Sequence, residues 1–202
     1  RFPHLAALPD ALLDLYVAGG YGSNIGDVAG PDSARMFNPH PKTFADMYLD
    51  SWRLTRSPRF AWVLRHLVGT QGQASNEEWD QIGEDAEKTR NVALHNPSRV
   101  LGGFGLVALE EGVDSTDYRD KRCLTMRTGV GSGHAQPDSL DIQFYARGLR
   151  MLSDLGGRIS GQYGKPTCMS TYVHNLVEVD EQSHCGGPRN STGTAWVDAF
   201  KP

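Results

Sequence analysis

Between Gly131 and Gly157 the chain reads GSGHAQPDSLDIQFYARGLRMLSDLGG, and a histidine, a carboxamide and carboxylates crowd the mouth of a predicted β-hairpin. Leu140, Ile142 and Phe144 alternate with Ser139, Asp141, Gln143 and Tyr145, so the two sets line opposite faces of an extended strand. His134 and Gln136 precede this strand two residues apart and share a face if the extended conformation starts early. The turn ARGLR sends the chain back, which brings Asp154 near the strand's beginning, at the His134 end. Imidazole exchanges protons near neutral pH and is the commonest metal ligand, so such a cluster suits proton transfer or metal binding. It equally suits the plain task of capping a sheet edge, since short H-x-x-x-D spacings also arise by chance. Downstream, GQYGKPTCMSTYVHNLVEVDEQSH adds Tyr163, His174 and His184 to the same half of the chain.

Other residues read more plainly. His4, His40, His66 and His95 are scattered over helices and turns, where solvated or structural roles are expected. Trp52, Trp62, Trp79 and Tyr48 are expected in packing between helices, although one of them could stack on a sugar. Asp138 and Asp180 fit turns or strand support. Arg147, Arg150, Arg158, Lys165 and Arg189 are individually ordinary surface charges; as a group they could supply a local positive field.

The elements that must position these groups divide the chain in two. Up to about His95 the apolar spacing is helical: Leu5, Leu8, Leu12, Leu15 and Tyr16 predict one face, and Phe44, Met47, Tyr48 and Trp52 another. PRFAWVLRHLVG predicts a third helix, with Pro58 at its first turn and Gly69 at its end. A long Gly/Pro/Asn-rich connection containing Tyr21 and Asn24 separates the first two. ASNEEWDQIGEDAEKTRNVALHNP fits either helix or loop. After Ser98 the period becomes two, and RVLGGFGLVALEEG, DKRCLTMRTG, SLDIQFYARG, LRMLSD, TYVHNLVEVDE and TGTAWVDAF read as β-rich runs. Helices followed by strands predict an α+β arrangement with an antiparallel sheet: a helical part over residues 1–97 and a β part over 98–202. There is too little of each for a finished layer, so the expectation is a fragment.

The 202 residues, net charge of −4 and 39% hydrophobic content suit a globular chain and argue against disorder or a phosphate-binding nucleic-acid surface. No apolar run reaches bilayer length, and RFPHLAALPD has no signal-peptide pattern, so neither a membrane nor a nucleic-acid partner is expected. Cys123, Cys168 and Cys185 form no CxxC pair, and free thiols or small packing residues are expected.

The run from Gly131 to Gly157, followed by YVHNLVEVDEQSH, resembles the heparinase II/III-like polysaccharide lyases. Their signature is a G-H-x-H-x-D-x-L-S strand, a D-x-G turn, a tyrosine loop and an A-H-N-T-x-x-V-D strand. SNIGDVAG resembles their P-x-I-G-D loop, and VDEQSHCGG is most similar to the alginate-lyase branch. The resemblance implies the end of an incomplete α/α toroid followed by the first strands of an antiparallel β-sandwich. It further implies a secreted or periplasmic lyase that cleaves a uronic-acid polysaccharide or oligosaccharide by β-elimination, alginate before glycosaminoglycans. In that chemistry a polar or cationic group neutralises the C6 carboxylate, a base takes the C5 proton and an acid protonates the O4 leaving group.

Residue by residue, the resemblance implies His134 at the substrate carboxylate or in proton transfer and Tyr163 as acid or base. Gln136 and Arg158 would lie with the substrate, and Tyr21 and Asn24 at the rim of the cleft. Asp154 and His174 match two ligands of a metal, usually zinc. Gln136 stands where the third, a histidine, is expected, and carboxamide oxygen is a poor zinc donor. The expectation is therefore recruitment of His184, or no metal with Gln136 hydrogen-bonded to Asp154 or His174, rather than tightly held zinc. The family's further catalytic residues on earlier helices have no counterpart here. The competing expectation is a carbohydrate-binding or scaffold module that keeps the fold without the chemistry.

Overall fold

The computed structural model describes residues 8–18, 21–22, 41–89, 96–112, 118–128, 136, 138–154, 171–182 and 197–201. Helix α1 (Leu8–Asp14) opens the chain. Its predicted apolar face is corrected: Leu8 is exposed, and the buried line runs through Pro9 and Leu13 to Tyr16. The reason is that helical geometry stops at Asp14. Tyr16–Val17 (β1) then pairs antiparallel with Tyr21–Gly22 (β2), so the 3.6-residue period no longer governs Leu15 and Tyr16.

Helix α2 (Pro41–Thr55) buries Ala45, Tyr48, Leu49 and Trp52, an i, i+3, i+4, i+7 stripe; of the predicted face Tyr48 and Trp52 lie in it, and Phe44 and Met47 are half-buried at its edge. Helix α3 (Pro58–Val63) starts on its proline and runs into one π-helical turn, Leu64–Val68, which ends at Gly69 with φ +68°. The segment that fitted helix or loop forms α4 (Asn76–Ala86). It is nucleated by a capping box in which Ser75 Oγ accepts from the Glu78 N–H while Glu78 accepts from the Ser75 N–H. The helices share one core, where the Tyr48 and Phe60 rings lie 5.7 Å apart. Buried polar atoms within it are matched: the Tyr48 hydroxyl donates to the Pro9 carbonyl at 3.1 Å and the Trp52 indole N–H to Asp85 at 3.0 Å.

Five strands follow in a meander with the order β3-β4-β5-β6-β7, each antiparallel to its neighbour. They are β3 (Arg99–Leu101), β4 (Leu106–Glu111), β5 (Arg122–Arg127), β6 (Ile142–Ala146) and β7 (Leu149–Leu152). The first predicted run splits into β3 and β4 because Gly105, at φ +76°, closes a turn inside it. TYVHNLVEVDE is not a ladder strand. Thr171–Val173 make a single 3-10 turn, and Val179 and Gln182 bridge a tight turn with Asp180 and Glu181 at φ +54° and +55°. The physical cause is that the Asn175 carbonyl accepts from the Ile142 N–H, which commits this backbone to the start of β6. Of TGTAWVDAF, Val197–Phe200 carries no strand, and the remainder lies outside the described residues.

A second core under the sheet collects Val17, Ala18, Ala108, Cys123 and Tyr145, with Tyr21 against it. Cys123 is a buried free thiol, and burial pushes its pKa up; Cys168 and Cys185 lie outside the described residues. Among the described residues no helix is long and apolar enough to cross a membrane.

Candidate functional site

Strand β6 carries the polar half of its alternating pattern inward. Gln143 and Tyr145 are buried, as is Asp141 just before the strand, whereas Ile142 and Phe144 are half-buried and Leu140 is exposed. Burying three polar side chains in a row is tolerable only when each is bonded, and they are bonded to one another. The Tyr145 hydroxyl donates to Gln143 Oε1 at 2.8 Å, and Gln143 Nε2 donates to Asp141 Oδ2 at 3.2 Å. Asp141 Oδ1 accepts from the Asn175 N–H at 2.7 Å. The outcome is a polar ladder that fixes the Asp141 carboxylate from behind.

Asp154 reaches Asp141 through the β6–β7 hairpin. Its two-residue turn, Arg147–Gly148, holds both residues at positive φ (56° and 69°), the twist that tight hairpins favour. The register pairs Phe144 with Leu152 across a bulge, so the chain two residues on, at Asp154, stands beside the start of β6. His174 arrives from the other side on the 3-10 turn that begins at the buried Thr171. Its Nδ1 lies 2.6 Å from Asp154 Oδ2. Asp141, Asp154 and His174 are all buried, and one donor atom from each lies within 4.8 Å of those of the other two.

The electrostatics follow from that burial. Desolvation, then the Asp154 charge, pushes the Asp141 carboxyl up to about 6. Arg127 pairs with Asp138 just ahead of β6. Burial lowers the Arg127 pKa, against the pull of the Asp141 and Asp154 charges. Such an arrangement can exchange a proton near neutrality. As to a metal, two carboxylates and one imidazole are competent donors. Asp154 holds the imidazole by Nδ1, however, so the unpartnered Nε2 points away from Asp154 and the three groups do not close on one ion through it.

Of the residues expected from the sequence, the structure brings together Asp154 and His174, and it buries Gln136. Tyr21 stands under the hairpin: its hydroxyl donates to the Gly148 carbonyl at 2.8 Å and its ring lies 5.5 Å from Tyr145. Arg150 is corrected from a surface charge to a half-buried one, 5.7 Å from the Tyr21 and Tyr145 rings and bonded to Ser153 Oγ at 3.1 Å. His134, Tyr163, Arg158, Asn24 and His184 lie outside the described residues. Asp141 is the residue that sequence reasoning missed. Its alternation with Gln143 and Tyr145 put the three on one face, but alternation alone does not say that this polar face is the buried one.

No family model matches the chain, and no curated protein does. Solved structures do. Heparan sulfate lyase HepC from Pedobacter heparinus superposes with a TM-score of 0.53 at 14% identity, over 89% of this chain and 24% of that one. A mutant of the same lyase gives 0.52 over the same shares. A heparinase III with methylated lysines gives 0.51 at 16% identity, over 85% of this chain and 22% of that one. At these identities the likeness is one of fold, and the chain spans about a quarter of the length of the structures it matches.

Proposed function

We propose that this chain is part of a polysaccharide lyase that breaks an acidic, uronic-acid-containing polymer outside the cytoplasm by β-elimination. The observation that carries the reading is a coincidence of order. The motif elements at 131–157 and 172–184 follow one another in a chain whose fold is like that of heparan sulfate lyases, and Asp154 of the first stretch lies beside His174 of the second. On this reading α1 to α4 are the last part of an α/α toroid and the meander is the first part of a sandwich, with the cleft between them. His134 neutralises the substrate carboxylate or moves a proton, Tyr163 serves as acid or base, and Gln136, Arg158, Tyr21 and Asn24 line the approach. The C5 proton becomes removable once the carboxylate charge is met, because the electrons then settle on a stabilised enolate. Elimination consumes no water, which separates it from hydrolysis by paired carboxylates.

The structural neighbours act on heparan sulfate, which puts glycosaminoglycans first among substrates. Alginate follows on the V-D-E-Q-S-H run, whose first four residues form an exposed tight turn. The test is incubation of the full chain with heparan sulfate, alginate and other polyuronates, following the ultraviolet absorbance of the unsaturated product. Turnover that vanishes in His134→Ala while affinity is kept supports the lyase. Silence on every polymer sinks it, and binding of oligouronates without turnover supports instead the carbohydrate-binding module that Gln136 first suggests.

A further inference from the structure

We infer that Asp154 and His174 form a direct hydrogen-bonded strut that joins its segments without a metal ion, in place of the zinc that the resemblance implies. The first observation is a distance. His174 Nδ1 lies 2.6 Å from Asp154 Oδ2, whereas two donors held at about 2.1 Å from one tetrahedral zinc stand about 3.4 Å apart. A carboxylate oxygen only accepts, so Nδ1 carries the proton and its lone pair is not offered to a metal. The Nε2 that is left is buried, faces away from Asp154 and has no hydrogen-bond partner among the described residues. An ion on Nε2 would be out of reach of Asp154, and an ion on Nδ1 would displace the bond.

The second observation is that hydrogen bonds already do the joining. The Asn175 N–H donates to Asp141 Oδ1 at 2.7 Å, and the Ile142 N–H donates to the Asn175 carbonyl at 3.1 Å. Two bonds thus hold this backbone to the start of β6, and the strut holds the neighbouring side chain to the end of the β6–β7 hairpin. The third observation is charge. Two carboxylates brought together out of water call for a positive group, and an arginine is in place. Arg127 is buried beside them: the charges of Asp141 and Asp154 pull its pKa up against its burial, and it pairs with Asp138. A guanidinium keeps its proton where other cations lose theirs, so a divalent ion entering here would meet a resident like charge. Gln136, buried and neutral, adds no charge that an ion would offset. The strut stands whether or not the chain cleaves a polysaccharide, because its test reads a hydrogen bond and not turnover.

The full chain, labelled with nitrogen-15 in its histidines, is treated with a chelator, and its proton resonances are recorded before and after addition of excess zinc. A buried imidazole N–H held by a carboxylate gives a signal far downfield, since the bond is short and charge-assisted. One such signal, coupled to an imidazole Nδ1 and lost in His174→Gln, is expected in the chelator-treated chain and is expected to be unmoved by zinc. Circular dichroism checks the folding of the variant. Should His174→Gln not fold, Asp154→Asn makes the assignment: its carboxamide oxygen still accepts the bond but carries no charge, so the signal is expected to move upfield. Zinc retained with the signal unchanged is held by other groups and also supports the strut. Absence of the signal from the chelator-treated chain, or its loss as one zinc per chain is taken up, overturns the inference.

Discussion

Glu110 shows what one buried carboxylate does in this chain. It accepts the Ala18 N–H at 2.8 Å and lies 3.5 Å from Arg99 Nη1 and 4.0 Å from Lys121 Nζ, with its own carboxylate and the lysine out of water. Burial raises its pKa above the ordinary 4.5, with Arg99 the largest opposing influence. A carboxyl whose folded pKa is raised favours the folded state while protonated. That contribution is complete below the ordinary value and is lost as pH climbs through the folded one. The unfolding free energy of the chain, relative to that of Glu110→Gln, is therefore expected to fall as pH rises from 4 towards 7. Urea denaturation across that range measures it, and a difference that stays flat with pH refutes it. Residues of this kind resist reading from sequence, and Asp141 is the second example. Nothing local distinguishes a strand carboxylate that faces water from one that faces a partner brought by the chain 13 or 33 residues later, as Asp154 and His174 are.

At the scale of the element, what the sequence shows best is periodicity and what it shows worst is where periodicity stops. The Phe44 to Trp52 spacing produces α2, and the alternation from Asp141 to Tyr145 leads into β6, whereas Ser139 and Leu140, predicted in the same strand, form a turn ahead of it with Leu140 at φ +70°. The α1 face fails because the pattern through Leu15 and Tyr16 crosses from helix into β1. Helix α4 carried a readable sign in S-x-x-E at Ser75–Glu78, which its polar composition hid. Glu78 adds a pairing with Arg53 at 2.8 Å, and that bond, more than any other influence, holds its pKa down at about 2. The cap itself is the larger determinant, since it satisfies a backbone N–H that has no partner inside the helix. Ser75→Ala is accordingly expected to lower stability by about 1 kcal/mol. In urea this reads as a lower midpoint with an unchanged slope, and a midpoint equal to that of the unaltered chain would show the capping box to be incidental.

At the scale of the whole molecule, three consecutive residues join two cores: Tyr16 packs among the helices, while Val17 and Ala18 pack under the sheet. The joint is locked by polar groups from the segment that enters β3. Asn96 Nδ2 donates to the carbonyls of Leu13 at 2.7 Å and Tyr16 at 3.0 Å. Arg99 donates from Nε to the Asp14 carbonyl at 2.7 Å and from Nη2 to that of Tyr16. These carbonyls face inward at the point where α1 has ended and β1 has only two residues to pair, so side chains take the place of a ladder. In Asn96→Ala the Tyr16 carbonyl keeps Arg99, but the Leu13 carbonyl loses its side-chain donor, at a cost of roughly 2 kcal/mol. Because the two cores share the 16–18 peptide, that loss is expected to reach beyond α1. Hydrogen exchange is expected to quicken in β4, where Ala108 and Glu110 meet Ala18, as well as in α2, where Tyr48 meets Pro9. Faster exchange confined to α1, with β4 protected as before, would mean that helices and sheet are held together by something other than this joint.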